Sequence, residues 1–260
     1  MKAKFLAGLI AGALTFSAFA AVNASEGPKL PAEKWSFDGA MGHFDRAQLK
    51  RGWQVFKSVC SACHSAHQLY YRNLVDLGFS EAEAKQIASG DNVAAGPNEA
   101  GETHVDGQPI MRPAVLADKI AAPYANANAA RAANNGALPP DLSLMTKARK
   151  GGADYVHAIL TGYKEPPTGF QLQQGMNYNE YFAGHQIAMP APLAEGAVTF
   201  EDGTNATVDQ MAKDVSAFLT WSAEPELEDR KRMGIKILAF LLVFTALAFA
   251  LKRKVWSDVH

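Results

Sequence analysis

Apolar residues recur along this chain with two rhythms. Two stretches are apolar almost without interruption. The first follows Lys2 and Lys4, runs from Phe5 to Ala20 and leaves through the small-residue steps Ala18-Phe19-Ala20 and Val22-Asn23-Ala24. A charged start, an apolar middle and small residues at the exit are the layout of a secretory signal, so residues 1–24 are expected to be removed, with cleavage after Ala20 or Ala24. The second, Met233–Leu251, is nineteen residues long with Lys236 as its only charge. At about 1.5 Å per residue such a helix reaches roughly 28 Å, close to the thickness of a hydrocarbon core.

Between these stretches the apolar positions fall at helical spacing. Asp45-Arg46-Ala47-Gln48 has the acceptor and the Gln of a capping pattern, and Leu49, Trp53, Phe56 and Cys60 follow on one face. Ser80-Glu81-Ala82-Glu83 opens a helix towards Ala88, and Asp141 is expected to cap a stretch carrying Leu142, Met145 and Ala148. Tyr155, Val156, Ile159 and Leu160 make a short apolar face. The clearest helix opens at Thr207-Val208-Asp209-Gln210 and aligns Val208, Met211, Val215, Phe218 and Leu219. Pro225, Glu226, Glu228 and Asp229 suit the first turn of a last helix that continues into the apolar span. The stretches Gly90–Pro140, with six prolines, and Gly162–Pro192 read as loops. Strand signals are scarce and no internal repeat is visible. The expected class is mostly α with long ordered loops plus one C-terminal transmembrane helix, a fold in which a bound cofactor supplies part of the core.

Composition changes the picture through charge. The chain holds 25 Lys and Arg against 26 Asp and Glu, a formal charge of -1, but seven of the cations lie between Arg230 and Lys254. The segment Ser25–Asp229 carries 16 basic and 25 acidic side chains, a formal charge of -9. That field opposes nucleic acid, whose phosphates need cations. It would speed encounter with a basic protein, although solubility alone also explains it. Residues 25–229 are long enough for one domain with its own core, and 230–260 are expected to be the anchor, spanning about 233–251, with a short tail. Lys252, Arg253 and Lys254 favour a cytoplasmic tail, whereas Arg230, Lys231 and Arg232 blunt that rule. The signal decides for an exported domain, which argues against a purely cytosolic enzyme and a multi-domain assembly.

Two cysteines carry most of the chemical information. They form Cys60-Ser61-Ala62-Cys63, followed at once by His64. Cys-x-x-Cys-His is the attachment signature of c-type haem. Two thiols on one turn can add to the two vinyl groups of a single haem, and the next imidazole reaches the iron. The same thiol spacing serves a thioredoxin-like dithiol, but that needs a βαβ pattern, which is not present. The occupant of the second iron face sets the chemistry: methionine raises the potential and suits electron transfer, and an open site suits a sensor or a peroxidase-like protein. Met145 and Met211 fall on apolar helix faces and read as core. Met189, held by Pro190 and Pro192, is favoured as the second ligand, with Met111 before Arg112-Pro113 as the alternative. His43, His67, His104, His157 and His185 read as ordinary polar or core histidines.

The order of motifs is more specific than any one of them. Cys60-Ser61-Ala62-Cys63-His64 is followed by Ala133-Asn134-Asn135-Gly136-Ala137-Leu138-Pro139-Pro140-Asp141-Leu142-Ser143, by Gly162-Tyr163-Lys164-Glu165-Pro166-Pro167-Thr168-Gly169 and by Met189-Pro190-Ala191-Pro192. With Ala223-Glu224-Pro225 and the apolar C-terminal helix, this resembles the cytochrome c1 family over nearly the whole mature chain. The resemblance implies one haem c attached through Cys60 and Cys63, with His64 and Met189 as axial ligands. It implies Arg149 near a haem propionate, and Asn134, Ala137, Pro140 and Tyr155 at haem-pocket positions; from the residues alone, Lys147-Ala148-Arg149-Lys150 reads as a solvated charge run. It also implies a one-electron carrier, not itself an enzyme, in a dimeric cytochrome bc1 complex beside cytochrome b and the Rieske iron–sulfur subunit, with a c-type cytochrome as acceptor. The family often reads Met-Pro-Pro-Pro or Met-Ala-Pro-Pro at the ligand, so Met189-Pro190-Ala191-Pro192 is a small departure. No cysteine remains for the extra disulfide of some bacterial relatives. The simple signal is of bacterial type and places the domain in the periplasm, on the inner membrane.

Overall fold

The computed structural model describes residues 27–258, so the expected signal lies outside the described residues. The Asp45 carboxylate accepts the amide hydrogens of Ala47 and Gln48 at 2.9 and 3.3 Å and starts α1 (Arg46–Ser58). Gln48 does not complete a reciprocal cap, so the expected box is only half formed. Ser80 and Glu83 do cap each other at the start of α2 (Glu81–Ser89). Thr207 accepts from the Gln210 amide at 3.1 Å and opens α6 (Val208–Ala223). Between them lie α3 (Ala127–Ala133), the four-residue α4 (Met145–Ala148) and α5 (Ala153–Thr161). The last helix, α7 (Leu227–Val255), is continuous from the domain into the apolar run, so the expected boundary at residue 230 falls inside its first turn.

The expected loops contain a little sheet. Among the described residues there are three two-stranded antiparallel ribbons: β1 (Asn92–Ala94) with β4 (Met111–Pro113), β2 (His104–Val105) with β3 (Gln108–Pro109), and β5 (Asn177–Tyr178) with β6 (Gln186–Ile187). Strands of two or three residues carry no readable alternation, which is why their sequences gave no strand signal. Arg112 grips Asp118 through both guanidinium nitrogens at 2.6 and 2.7 Å and fixes the turn after β4. With the Val115 amide, this holds the Asp118 carboxyl down to about 2.

The core is built on α1 crossing α6. Trp53, Phe56, Phe218 and Trp221 pack in one aromatic cluster with ring centroids 5.5–6.1 Å apart, and Leu49, Val55, Met211 and Val215 are sealed beside them. Burying each such side chain contributes about 1.5–3 kcal/mol. The crossing is close because Gly52 has no side chain: a Cβ there would lie 2.2 Å from the Asp214 carbonyl oxygen and 2.6 Å from the Phe218 Cβ. Beside it Asp214 is fully buried, although nothing in its helical position marks it as such. Arg51 meets it at 2.8 Å and Gln210 donates to it at 2.9 Å, which satisfies a carboxylate that burial pushes upward in pKa. The packing fixes the axis of α1, and the C-terminal end of α1 is where the cysteines begin.

Candidate haem site

The site starts where α1 tightens. After Ser58 the chain turns through a short 3₁₀ stretch, Cys60–Ala62, and the amides of Cys63 and His64 both donate to the Cys60 carbonyl, at 3.1 and 2.8 Å. Both thiols and the imidazole are thus carried by one turn, the geometry that two thioethers and one axial bond to a single haem require. Burial, with the neighbouring Cys63, pushes the Cys60 thiol up to about 12. A dithiol oxidoreductase needs an attacking thiol with a lowered pKa, so this environment opposes that reading.

His64 is oriented by a residue far along the chain. Its Nδ1 lies 2.8 Å from the Pro140 carbonyl oxygen. A carbonyl can only accept, so Nδ1 carries the proton and Nε2 keeps its lone pair for a metal. Burial holds the imidazole below the ordinary histidine value, against the opposing pull of the Pro140 hydrogen bond and the Asp141 charge. The ring is therefore neutral and ligand-ready at neutral pH.

The segment that carries Pro140 is itself anchored. Helix α3 ends with Asn135 at φ 51° and Gly136 at φ 87°, and the Gly136 amide donates back to the Arg131 carbonyl at 2.8 Å. That six-to-one bond with a left-handed Asn is a helix stop. The Asn134 amide donates to Ala130 O at 2.7 Å and to Tyr124 Oη at 3.1 Å, and the Ala137 amide donates to Asn134 O at 2.9 Å. Asn134 and Ala137 therefore shape the turn that delivers Pro140. Leu138, 43% exposed two residues before Pro140, offers apolar surface next to the hydrogen-bond partner of His64.

Asp141 departs from expectation. It does not cap α4, which begins after Leu144. Its carboxylate accepts instead from the Ser65 hydroxyl and the His67 amide, both at 2.8 Å, and from the Ser143 amide at 2.9 Å. Burial alone would raise its pKa, but these donors outweigh it and hold the group below the ordinary carboxylate range. Asp141 is thus the strap that ties the residues after His64 to the Pro140 segment. The strap continues into the core: the Gln68 amide donates to Ser143 Oγ at 3.0 Å, and Ser222 Oγ donates to Ser143 O at 3.0 Å. Sequence reasoning missed Asp141's role and Ser65 entirely, because the two lie 76 residues apart.

Met189 and Met111 differ in how they are held. Met189 is half-buried, and its carbonyl oxygen accepts from Tyr163 Oη at 3.0 Å and from the Asn177 amide group at 3.3 Å. The loop that bears the thioether is thereby fastened to the end of α5 and to β5. Tyr163 belongs to a motif visible in the sequence, but Asn177 carries no local signal. Met111 is 50% exposed on β4 of the β1–β4 ribbon. Arg149 is exposed at the end of α4 and makes no ion pair among the described residues; its guanidinium touches only the Ala148 carbonyl, at 3.4 Å. Tyr155 is half-buried on α5 against the core. Three other histidines have structural partners or places: His157 is buried against Asp209 at 2.9 Å, His185 turns the β5–β6 ribbon at φ 58°, and His104 meets its neighbour Thr103 at 3.0 Å.

The donor set fits a prosthetic group better than a bare ion. Among the described residues, no three His, Cys, Asp or Glu side chains converge to hold a metal, as a zinc site would demand. Two thiols and one free Nε2 on a single turn match a metal that brings its own equatorial ligands. A mostly helical domain with this turn, continuous with one helix long and apolar enough to cross a membrane, defines a membrane-attached c-type cytochrome.

The comparisons narrow the class. The chain belongs to the Cytochrome C1 family, whose profile matches residues 35–259. It is 44% identical over 268 residues to cytochrome c1 of Rhodospirillum rubrum, covering 96% of each chain. It is 47% identical over 250 residues to a mitochondrial "Cytochrome c1 2, heme protein" of Arabidopsis thaliana, covering 95% of this chain and 79% of that one. A mitochondrial "Cytochrome b-c1 complex catalytic subunit" of Candida albicans is 45% identical over 270 residues, covering 100% of this chain and 92% of its own length.

Proposed function

We propose that this chain is the haem-bearing electron-transfer subunit of a cytochrome bc1-type quinol–cytochrome c reductase. It would accept one electron from a Rieske iron–sulfur subunit and pass it to a c-type cytochrome. The observation that carries this reading is the His64 turn: thiols at Cys60 and Cys63, and an imidazole whose Nδ1 is committed to Pro140 so that Nε2 keeps its lone pair for a metal. Bound there, a haem supplies one-electron redox chemistry, and the chain's residues do the rest. Cys60 and Cys63 would attach it, His64 and Met189 would ligate its iron, and Arg149 would offer its guanidinium to a propionate. Asn134, Ala137 and Pro140 hold the His64 side, while Tyr163 and Asn177 restrain Met189, and Tyr155 lines the pocket wall from α5. A thioether ligand supplied by Met189 would favour a carrier over a sensor or peroxidase-like protein.

Helix α7 keeps the domain at a membrane beside its complex partners, with cytochrome b among them in a dimeric assembly. The N-terminal signal places the haem domain on the periplasmic side, with Lys252, Arg253 and Lys254 on the cytoplasmic side. Covalent attachment is the first test. The full chain should stain for haem on a denaturing gel, and Cys60→Ser with Cys63→Ser should lose all of the stain; a wild-type band without haem would sink the reading. The -9 charge of residues 25–229 supports a basic acceptor. Electron transfer to a basic c-type cytochrome should therefore slow by roughly tenfold or more between low and physiological salt, as screened steering does. A flat profile would remove the electrostatic argument.

A further inference from the structure

The loop that carries Met189 runs from Gly162 to Pro192 with little regular structure beyond the β5–β6 ribbon and one 3₁₀ turn, Ala183–His185. Chain entropy favours many positions for such a loop, and a second axial ligand has to stand in one. Among the described residues from 163 to 192, Asn179 is the only one that is buried, at 0% exposure. Burying a polar side chain costs free energy unless its groups are paired, and here both ends of the amide are used. Asn179 Nδ2 donates to the Ile159 carbonyl of α5 at 2.8 Å. Its Oδ1 accepts the backbone amides of Tyr181 and Phe182 at 3.0 and 3.2 Å. The Asn179 backbone amide donates to the His185 carbonyl at 3.1 Å. Gly162 makes room for this arrangement, since a Cβ there would lie 2.9 Å from Asn179 Oδ1 and 2.6 Å from Tyr181 Cδ2.

Both grips on the Met189 carbonyl meet at this residue. Tyr163, whose hydroxyl donates to Met189 O at 3.0 Å, is bridged to Asn179 backbone to backbone. Asn177 lies two positions before Asn179 and pairs with Ile187 across the ribbon. Its side-chain amide reaches Ile187 O at 3.4 Å and Met189 O at 3.3 Å. The buried bond to Ile159 ties the whole arrangement to α5, which packs on α6 in the core.

We infer that Asn179 is the positioning residue for the Met189 thioether. It acts through the backbone that presents the side chain, and not by ligation. The inference rests on Met189 being the second iron ligand. It assigns nothing to the His64 side, which Pro140 and Asp141 hold independently.

The test is Asn179→Ala in the haem-loaded full-length chain, which removes the three side-chain bonds. Hydrogen exchange at the Tyr181 and Phe182 amides should speed up by roughly tenfold or more, the worth of one buried hydrogen bond. The midpoint potential should fall towards that of Met189→Leu, and a large part of the reduced protein should bind carbon monoxide. Haem attachment at Cys60 and Cys63 should stay at the wild-type level. Asn179→Ser keeps an oxygen able to accept the Tyr181 amide, as serine does in such turns, and should fall between the two. Ser80→Ala, which loses the cap of α2, controls for stability alone. It should melt lower with neither potential nor carbon monoxide binding changed. An Asn179→Ala protein with wild-type potential and no carbon monoxide binding, while Met189→Leu shifts both, would overturn the positioning role and leave the ligand assignment standing. If Met189→Leu shifts neither, the ligand assignment fails and the inference fails with it. Should Asn179→Ala yield no haem-loaded chain, Asn179→Ser decides by the same readouts.

Discussion

Replacing Met189 with leucine is expected to lower the midpoint potential of the haem-loaded protein by a few tenths of a volt, within the roughly 0.8 V range that axial ligation covers. The reason is electronic and local. A thioether stabilises the reduced iron, and leucine cannot ligate. The substitution nearly conserves volume, and such swaps cost less than about 1.5 kcal/mol, so the fold should survive. The loop should also keep its place, because Tyr163 and Asn177 hold the backbone oxygen of residue 189 and not its side chain. The reduced variant should bind carbon monoxide where the wild type does not, and Met111→Leu should change neither property. Potentiometry on the three proteins checks this. An unmoved potential in Met189→Leu would send the second ligand to Met111 or a histidine and restore the open-site reading.

The second large effect is mechanical. Alanine in place of a mid-helix glycine stabilises a helix by up to about 1 kcal/mol where there is room. At Gly52 the sign should reverse. The added Cβ would sit 2.2 Å from a backbone oxygen of α6, and backbone cannot rotate away as a flexible side chain can. Overpacking of this kind costs about 1–3 kcal/mol, and valine should exceed alanine. At 2–4 °C per kcal/mol for a domain of this size, Gly52→Val should melt roughly 6–12 °C lower. Gly234→Ala, whose Cβ meets nothing within 4 Å, is the control and should be neutral or slightly stabilising. Calorimetry of the haem-loaded chain checks both, and a Gly52→Ala protein as stable as wild type would show that α1 and α6 are further apart than described. Because α1 delivers Cys60, the same substitution should also lower the yield of attached haem.

Much of this protein is written in short stretches of chain. The caps at Asp45, Ser80 and Thr207, the apolar faces of α1 and α6, the span in α7 and the Cys-x-x-Cys-His turn all depend on residues within four or five positions of each other. Helical periodicity and side-chain chemistry report such features directly. Illegible features share a different trait. Asp141 has the look of a helix cap, and only its partners at Ser65 and His67 reveal a strap. Asp214 looks like an exposed acid, and Arg51, 163 residues before it, makes its burial tolerable.

The sequence by itself determined the kind of chemistry: a thiol pair and an imidazole that only one turn can present together, in an acidic domain on an apolar helix. It left open which ring nitrogen of His64 meets the metal and which methionine stands opposite. Tertiary structure adds the Pro140 carbonyl brought to Nδ1 from 76 residues away, which leaves Nε2 unengaged, and the hold of Tyr163 on the Met189 loop across 26 residues, which supports the proposed second ligand. The physical reason is one of range. Covalent neighbours constrain each other in any conformation, whereas a hydrogen bond between distant segments exists only once α1 and α6 have packed and brought those segments together.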